Sequence, residues 1–582
     1  MDRRRFMAGL ARVGVSSAVF ANALWARAQQ AAESSAKVTQ EMVEQAAAVA
    51  GLKFTPEQEQ MMLSDLNSDL KAYAAIHELK LENSVYPALH FNPVLPGMKI
   101  GGAKRATQMS RITAPAVAKN LEDAAFYSVR QLAELVRTKK VSSRALTEMY
   151  LERLKRYDPV LHFVVNLTEQ RAVAQAKEAD ADLARGKYRG PLHGLPWGAK
   201  DLLATKGYKT TWGAGGFEDQ TIDEDATVVK RLDAAGAVLV AKLTLGALAM
   251  GDVWFGGRTR NPWDPAHGSS GSSAGPASAT AAGCVAFSIG SETLGSISSP
   301  STVCGDTGLR PTFGRVPRTG AMALSWSMDK LGPICRCAED CAIVLGAIYG
   351  PDNQDPTVHN VPFGWDALLD IKSIRVGYLP EAFEHKAPAE EKPEQAERRL
   401  EQKKFDDAAL EVLRGKAGLK LVALELPKLP YNSMRFLLEA EAAAAFDELT
   451  RSGRDKLLTA QGPGDWPNTF RAARLIPAVE YINANRARVL GMRAMAELFE
   501  KVDVIVTPTF GTQLVITNLT GHPAVILPNG FRASGTPTSL TFLGNLFAED
   551  KLLAIAHAYQ RHTDFHRKHP TLSTTPVEEK KS

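Results

Sequence analysis

The sequence predicts an α/β protein with a sheet covered by helices on both faces. Two observations carry this. From about residue 124, amphipathic helical periodicity alternates with short apolar runs. Those runs, Ala237-Val238-Leu239-Val240-Ala241 and Val502-Asp503-Val504-Ile505-Val506, have the length and composition of buried strands in a sheet shielded by helices. A third observation bounds the class: 582 residues, 45% hydrophobic and 23% charged, suit a soluble globular chain able to bury one very large core or several ordinary ones.

The elements follow in chain order. Arg3-Arg4-Arg5-Phe6-Met7, the weakly apolar stretch Ala8–Trp25 broken by Arg12, and Ala26-Arg27-Ala28 form the charged, apolar and small-residue regions of an export signal. Residues 1–28 are therefore expected to be a twin-arginine-type signal peptide, with the mature protein periplasmic or secreted. Without the five arginines and the one aspartate of that segment, the formal charge of +5 falls to +1. A basic surplus that could hold nucleic acid is then missing. Elsewhere no run reaches the roughly 18 uncharged apolar residues that a membrane span requires, so no stable insertion is expected after signal removal.

Residues 29–118 are expected to be a linker followed by a helical and extended segment. Thr55-Pro56-Glu57-Gln58 places an N-cap threonine, a proline at the first helical position and a glutamine three residues on. Met62, Leu66 and Leu70 then recur on one helical face, and the proline-rich 85–118 stretch reads as extended chain. The main domain is expected over 119–570. Its first helices are marked by Leu132, Leu135 and Val136 and, after the polar break at Lys139–Ser143, by Leu146, Tyr150, Leu151 and Leu154. The charged stretch 384–410 reads as a solvated surface helix, and 571–582 as a disordered tail. The five cysteines (Cys284, Cys304, Cys335, Cys337, Cys341) are too few for a disulfide framework. A single Cys337–Cys341 or Cys335-based disulfide after export stays open.

Three segments carry chemistry. The run Gly268-Ser269-Ser270-Gly271-Ser272-Ser273-Ala274-Gly275 and the block Gly290-Ser291-Glu292-Thr293-Leu294-Gly295-Ser296-Ile297-Ser298 offer serine nucleophiles among small residues whose backbone N–H groups can approach an oxyanion. Gly194-Leu195-Pro196-Trp197-Gly198-Ala199-Lys200-Asp201 surrounds a lysine with little to solvate it. To act as a base near neutrality, a lysine must be shifted by about three pKa units, worth about 4 kcal/mol. A rival chemistry lies in His557, His562, His566 and His569 on the presumed C-terminal helix. His562 and His566 are spaced i, i+4 but lack an intervening Glu, so surface histidines are expected and neither metal nor cofactor.

In this order, together with Cys304-Gly305-Asp306-Thr307-Gly308-Leu309-Arg310-Pro311-Thr312 and Asn518-Leu519-Thr520-Gly521-His522-Pro523-Ala524, these blocks resemble the amidase signature family from about residue 124 to 570. The resemblance implies an amidase signature fold: a mixed sheet of about eleven strands sandwiched by helices, preceded here by the N-terminal helical extension. It also implies a nucleophile at Ser296, a relay serine at Ser272, 24 residues earlier, and a base at Lys200. The spacing sets Ser269 and Ser270 aside. The backbone of Thr293, Leu294, Gly295 and Ser296 would form the oxyanion hole. The sequence departs from the family at Glu292, where Asp is usual, Leu294, where Gly is usual, and Ser298, where Arg is common. The expected consequences are a bulkier oxyanion turn, a looser loop unless Glu292 finds another partner, and a shifted substrate range. The short join between Thr509 and Asn518 is expected to open the pocket.

The expected activity is an exported serine amidase acting on a small-molecule or peptide amide, with a homodimer compatible. The alternatives are the glutamine-cleaving subunit of a tRNA-dependent amidotransferase and a non-catalytic amidase-fold binding protein. The intact Lys200, Ser272 and Ser296 speak against the last.

Overall fold

A computed structural model describes residues 37–79, 107–112, 115, 119–388 and 390–575. The signal-peptide reading, residues 29–36 of the linker and most of the extended 85–118 segment lie outside these residues. The described chain falls into two compact units. One joins the N-terminal helices to residues 429–490, and the other holds the remainder.

The larger unit is built on an eleven-stranded sheet. In chain order the strands are β1 (Val164–Leu167), β2 (Pro196–Lys200), β3 (Val238–Leu243), β4 (Phe287–Glu292), β5 (Thr307–Arg310), β6 (Lys330–Cys335), β7 (Val376–Tyr378), β8 (Leu421–Ala423), β9 (Val504–Pro508), β10 (Ala524–Phe531) and β11 (Pro537–Gly544). Their order across the sheet is β1-β3-β2-β4-β6-β5-β10-β11-β9-β7-β8. Strand β2 runs parallel to both β3 and β4, whereas β6 is antiparallel to β4 and β5. The sheet is therefore mixed, and helices sandwich it.

The apolar runs became the predicted strands, displaced by one or two residues. The strand around Val238 continues through Lys242 to Leu243, because the Lys242 ammonium finds a buried partner in Asp201 at 2.7 Å. The strand around Val504 ends at Pro508. Helix Val129–Arg137 begins at a capping box made by Ser128 and Gln131, and helix Ser143–Leu161 begins with the Ser142 hydroxyl accepting from Ala145 N. Leu151, Leu154 and Phe163 join Val238, Val240 and Leu243 in a buried cluster over β3. Ala277, Ile297, Cys304 and Ile334 form a smaller one between the two serine segments and β6.

The charged stretch does form a helix, Pro393–Glu411, but one side of it is buried. Asp406, Ala409 and Leu410 are covered, and Asp406 accepts from Gln402 Nε2 and Asn529 Nδ2 and pairs with His385 Nε2. In the presumed tail, Leu572 packs against the β3 cluster, while residues 576–582 lie outside the described ones. The five cysteines are free thiols.

In the smaller unit, helices Gln40–Val49 and Pro56–His77 are present, the second with the full Thr55/Gln58 capping box. Met62 and Leu66 are buried together with Val43 and Ala472. Residues 429–490, read from sequence as part of the 119–570 domain, contribute to this core. Among the described residues, no helix is long and apolar enough to cross a membrane.

Candidate functional site

The three serine and lysine segments converge at neighbouring strand ends. Lys200 is the last residue of β2. Glu292 is the last of β4, after which the chain turns through Thr293–Ile297 into helix Ser298–Cys304. The serine run enters helix Ala274–Ala281 through a cis peptide between Gly271 and Ser272. Ser273 N donates to the Ser296 carbonyl at 3.1 Å, which joins the two loops.

The Lys200 ammonium is completely buried. Its Nζ donates to Ser272 Oγ at 2.8 Å, Ser291 Oγ at 2.9 Å and Ser273 Oγ at 3.0 Å. Burial pushes Lys200 well below the usual lysine range, and the charges of Asp329 and then Glu292 only partly oppose this. Hydroxyls solvate an amine without stabilising its charge as a carboxylate would. The result is a lysine poised to accept a proton from a serine it already touches.

Sequence reading singled out Ser272 as the contact of Lys200. The structure adds Ser273 and Ser291, whose mutual bonds (Ser291 N to Ser273 Oγ at 3.1 Å, Ser273 Oγ to the Ser291 carbonyl at 3.1 Å) hold the cradle together. Ser291 was legible as part of the Gly290–Ser298 block, but nothing in that block marked it as a lysine partner. Ser269 and Ser270 do point elsewhere: the Ser269 hydroxyl donates to the Ser270 carbonyl, and that of Ser270 pairs with Ser299. Ser296 is partly exposed.

Two glycines are dictated by the site. Gly295 holds φ at +94° in the turn before Ser296, a conformation that side-chain-bearing residues rarely adopt. At Gly271, a Cβ would stand 1.8 Å from the Gly251 carbonyl oxygen.

Glu292 keeps the turn closed, because it finds another partner in Arg310. Its Oε2 accepts from Ile297 N at 2.9 Å, Ser298 N at 2.8 Å and Ser298 Oγ at 2.8 Å. Its Oε1 accepts from Arg310 Nη1 at 2.7 Å and Asn518 Nδ2 at 2.9 Å. The side chain reaches a cation on β5 while receiving the backbone of the residues after Ser296, and Ser298, in the place of the usual arginine, joins the same carboxylate. Beyond Thr509, the short join is itself helix Thr512–Thr520. Its Leu514 Cδ2 lies 3.6 Å from the point a Gly295 Cβ would occupy, so this segment approaches the turn before Ser296. Leu294, on that turn, is partly exposed.

A cavity of about 390 Å³ opens beside the cradle, lined among others by Ser291, Thr293, Arg318, Met322, Trp326 and Asp329. Arg318 is paired with Asp355 and also donates to the Trp326 carbonyl at 2.7 Å. The four C-terminal histidines do not share one helix. The α-helix ends at Arg561, so only His557 lies on it, edge-on to Trp365. His566 falls in a separate 3-10 turn and His569 stacks on Phe126. His562 is the C-cap, with non-helical backbone and its N–H donating to the Tyr559 carbonyl.

Comparison with known proteins identifies the family. The amidase family model matches residues 145–515. A glutamyl-tRNA(Gln) amidotransferase subunit of Roseiflexus castenholzii is 36% identical over 489 residues, covering 76% of this chain and 97% of that protein. Its counterpart from Thermosynechococcus vestitus is 33% identical over 486 residues, covering 75% and 98%. Among solved structures, the peptide amidase of Stenotrophomonas maltophilia superposes with a TM-score of 0.66 at 29% identity, covering 78% of this chain and 99% of that one. An amidase family protein of Bacillus anthracis shares the fold, with a TM-score of 0.67 at 24% identity over 78% and 94%. The chain belongs to the amidase signature family and is an amide-hydrolysing enzyme.

Proposed function

We propose that this enzyme cleaves the C–N bond of its amide through an acyl-enzyme on Ser296. The observation that carries the reading is the buried Lys200 amine, held toward neutrality 2.8 Å from Ser272 Oγ. Lys200 accepts a proton from Ser272, which accepts one from Ser296 as Ser296 Oγ bonds to the amide carbon. The carbonyl oxygen becomes an oxyanion held by the backbone N–H groups of Thr293, Leu294, Gly295 and Ser296, where each lost donor would cost about 3 kcal/mol. The C–N bond then breaks, the proton returns through Ser272 to the departing amine, and water releases the acyl group by the same route. This is a serine–lysine version of nucleophile, base and orienting partner. A fluorophosphonate probe is expected to label the wild type and not Ser296→Ala; equal labelling of both would overturn the nucleophile.

The acyl donor has two readings. The names of the relatives, matched over nearly their whole length, favour the glutamine-cleaving subunit of an amidotransferase over a free-standing amidase. The peptide amidase among the structural neighbours supports the free-standing enzyme. Ammonia release from L-glutamine that appears only with amidotransferase partner subunits decides for the first; turnover of simple or peptide amides by the chain alone decides for the second. For the free-standing reading we also propose export, resting on Arg3-Arg4-Arg5 and the segment up to Ala28; export would count against the amidotransferase subunit. Periplasmic recovery that survives replacement of Arg4 and Arg5 by Lys would refute the twin-arginine route.

A further inference from the structure

Asp329 stands one residue ahead of β6, and the pairing of Lys330 with Glu292 across the β6–β4 ladder brings it beside Thr293. Thr293 Oγ1 donates to Asp329 Oδ1 at 2.6 Å. Leu324 N and Ser325 N donate to Asp329 Oδ2 at 2.8 and 3.0 Å. One carboxylate therefore grips both the turn that leads to Ser296 and the wall of the 390 Å³ cavity, of which Leu324 and Trp326 are part.

We propose that Asp329 is a positioning residue that locks the oxyanion turn to the substrate cavity. The inference rests on the acyl-enzyme reading. A turn that presents backbone donors to a developing oxyanion works only if it is held before the charge appears. The Thr293–Asp329 bond is the side-chain tether that does this from the cavity side, as Glu292 does from the buried side. Two acids act on Lys200. Asp329 exerts the larger effect and Glu292 the smaller, and Glu292 is offset by Arg310 and Lys330. The other polar groups on the ammonium are the hydroxyls of Ser272, Ser273 and Ser291 and the Ser291 carbonyl; burial raises the Asp329 carboxyl, opposed by the Thr293 hydroxyl and then by Arg318.

The test measures the rate at which an alkyl fluorophosphonate labels Ser296, as a function of pH. In that step the Oγ–P bond forms, the P–F bond breaks, fluoride leaves and the serine proton passes through Ser272 to Lys200. Thr293→Val and Asp329→Ala are each expected to slow labelling by about tenfold or more, the usual cost of a lost hydrogen bond to a charged group. The double variant Thr293→Val/Asp329→Ala is expected to be no slower than Asp329→Ala, because both remove the same tether, whereas Asp329→Asn can keep the tether by donating its Nδ2 to Thr293 Oγ1. Without the Asp329 charge Lys200 loses its proton more readily, so the acid limb of the Asp329→Asn profile moves to lower pH, while Thr293→Val leaves the limb in place. Additive slowing or wild-type labelling by Thr293→Val overturns the proposal, and an unmoved limb in folded Asp329→Asn overturns the action of its charge on Lys200. Thr293→Val is nearly isosteric, so it carries the test if Asp329→Ala does not fold. Labelling that survives Ser296→Ala would instead refute the acyl-enzyme reading.

Discussion

Changing Glu292 to Gln removes one charge and almost no volume, and the structure sets what that costs. The carboxylate accepts five hydrogen bonds: Ile297 N, Ser298 N and Ser298 Oγ on one oxygen, Arg310 and Asn518 on the other. An amide can accept on one oxygen only, so its nitrogen would face donors, and the fully buried Arg310 would lose its counter-charge. Burial alone would raise the Glu292 carboxyl. The charges of Arg310 and Lys330 and the bonds from Arg310 and Asn518 outweigh it and hold the group at about 2, below its ordinary 4.5. A folded-state value depressed in this way gives stability that is present above pH 4.5 and lost as the pH falls through about 2. That depression is worth about 3 kcal/mol. Breaking a buried ion pair from one side costs about 3–5 kcal/mol, so two routes reach the same magnitude. Urea unfolding followed by tryptophan fluorescence should show Glu292→Gln less stable by about 3 kcal/mol at pH 7, with the gap narrowing between pH 4.5 and 2. An unchanged midpoint at pH 7, or a deficit that persists at pH 2, would refute the argument.

Other perturbations have equally definite outcomes. Lys200→Met should abolish probe labelling. Wild-type stability rises with pH below the ordinary lysine value of 10.5, since the unfolded chain keeps a proton that the buried lysine does not; the variant should therefore show a flatter dependence of Tm on pH between 7 and 9. In the smaller unit, burial first, then the charges of Glu439 and Asp65, push Asp69 up to about 7 from 3.8. The stability held below pH 3.8 is thus lost as the pH rises through 7, and Asp69→Asn should raise the Tm at pH 8 while matching wild type at pH 4. Gly271→Ala drives a methyl to 1.8 Å from a backbone carbonyl that cannot rotate away. It should destabilise by about 3 kcal/mol or more, visible as a fall in Tm and in Ser296 labelling; a variant with native Tm would refute the clash.

Much of the site could be read from the chain because its chemistry lies in short, ordered blocks. Ser296 and Ser272 sit in small-residue runs with a set spacing, and Lys200 ends an apolar strand that hides it from water. The capping box at Thr55 was equally local, since it joins residues three apart. The C-terminal histidines misled for the same reason in reverse: i, i+4 spacing implies a shared face only if the helix continues, and it stops at Arg561.

The partners that tune the site were not legible. Asp329 is 36 residues from Thr293, and Asn518 is 226 from Glu292; no local periodicity reports a contact closed by sheet register. Residues 429–490 likewise read as a continuation of the main domain until their apolar faces were seen against Met62 and Leu66. The sequence by itself determined the strand-forming runs, because propensity acts within a few positions, and through its ordered motif blocks it pointed to Lys200, Ser272 and Ser296 as the candidate site. Only the tertiary structure decided that Lys200 lies among three hydroxyls, that Glu292 is answered by Arg310 and that Asp329 holds the turn, because burial and charge pairing arise where distant strand ends meet.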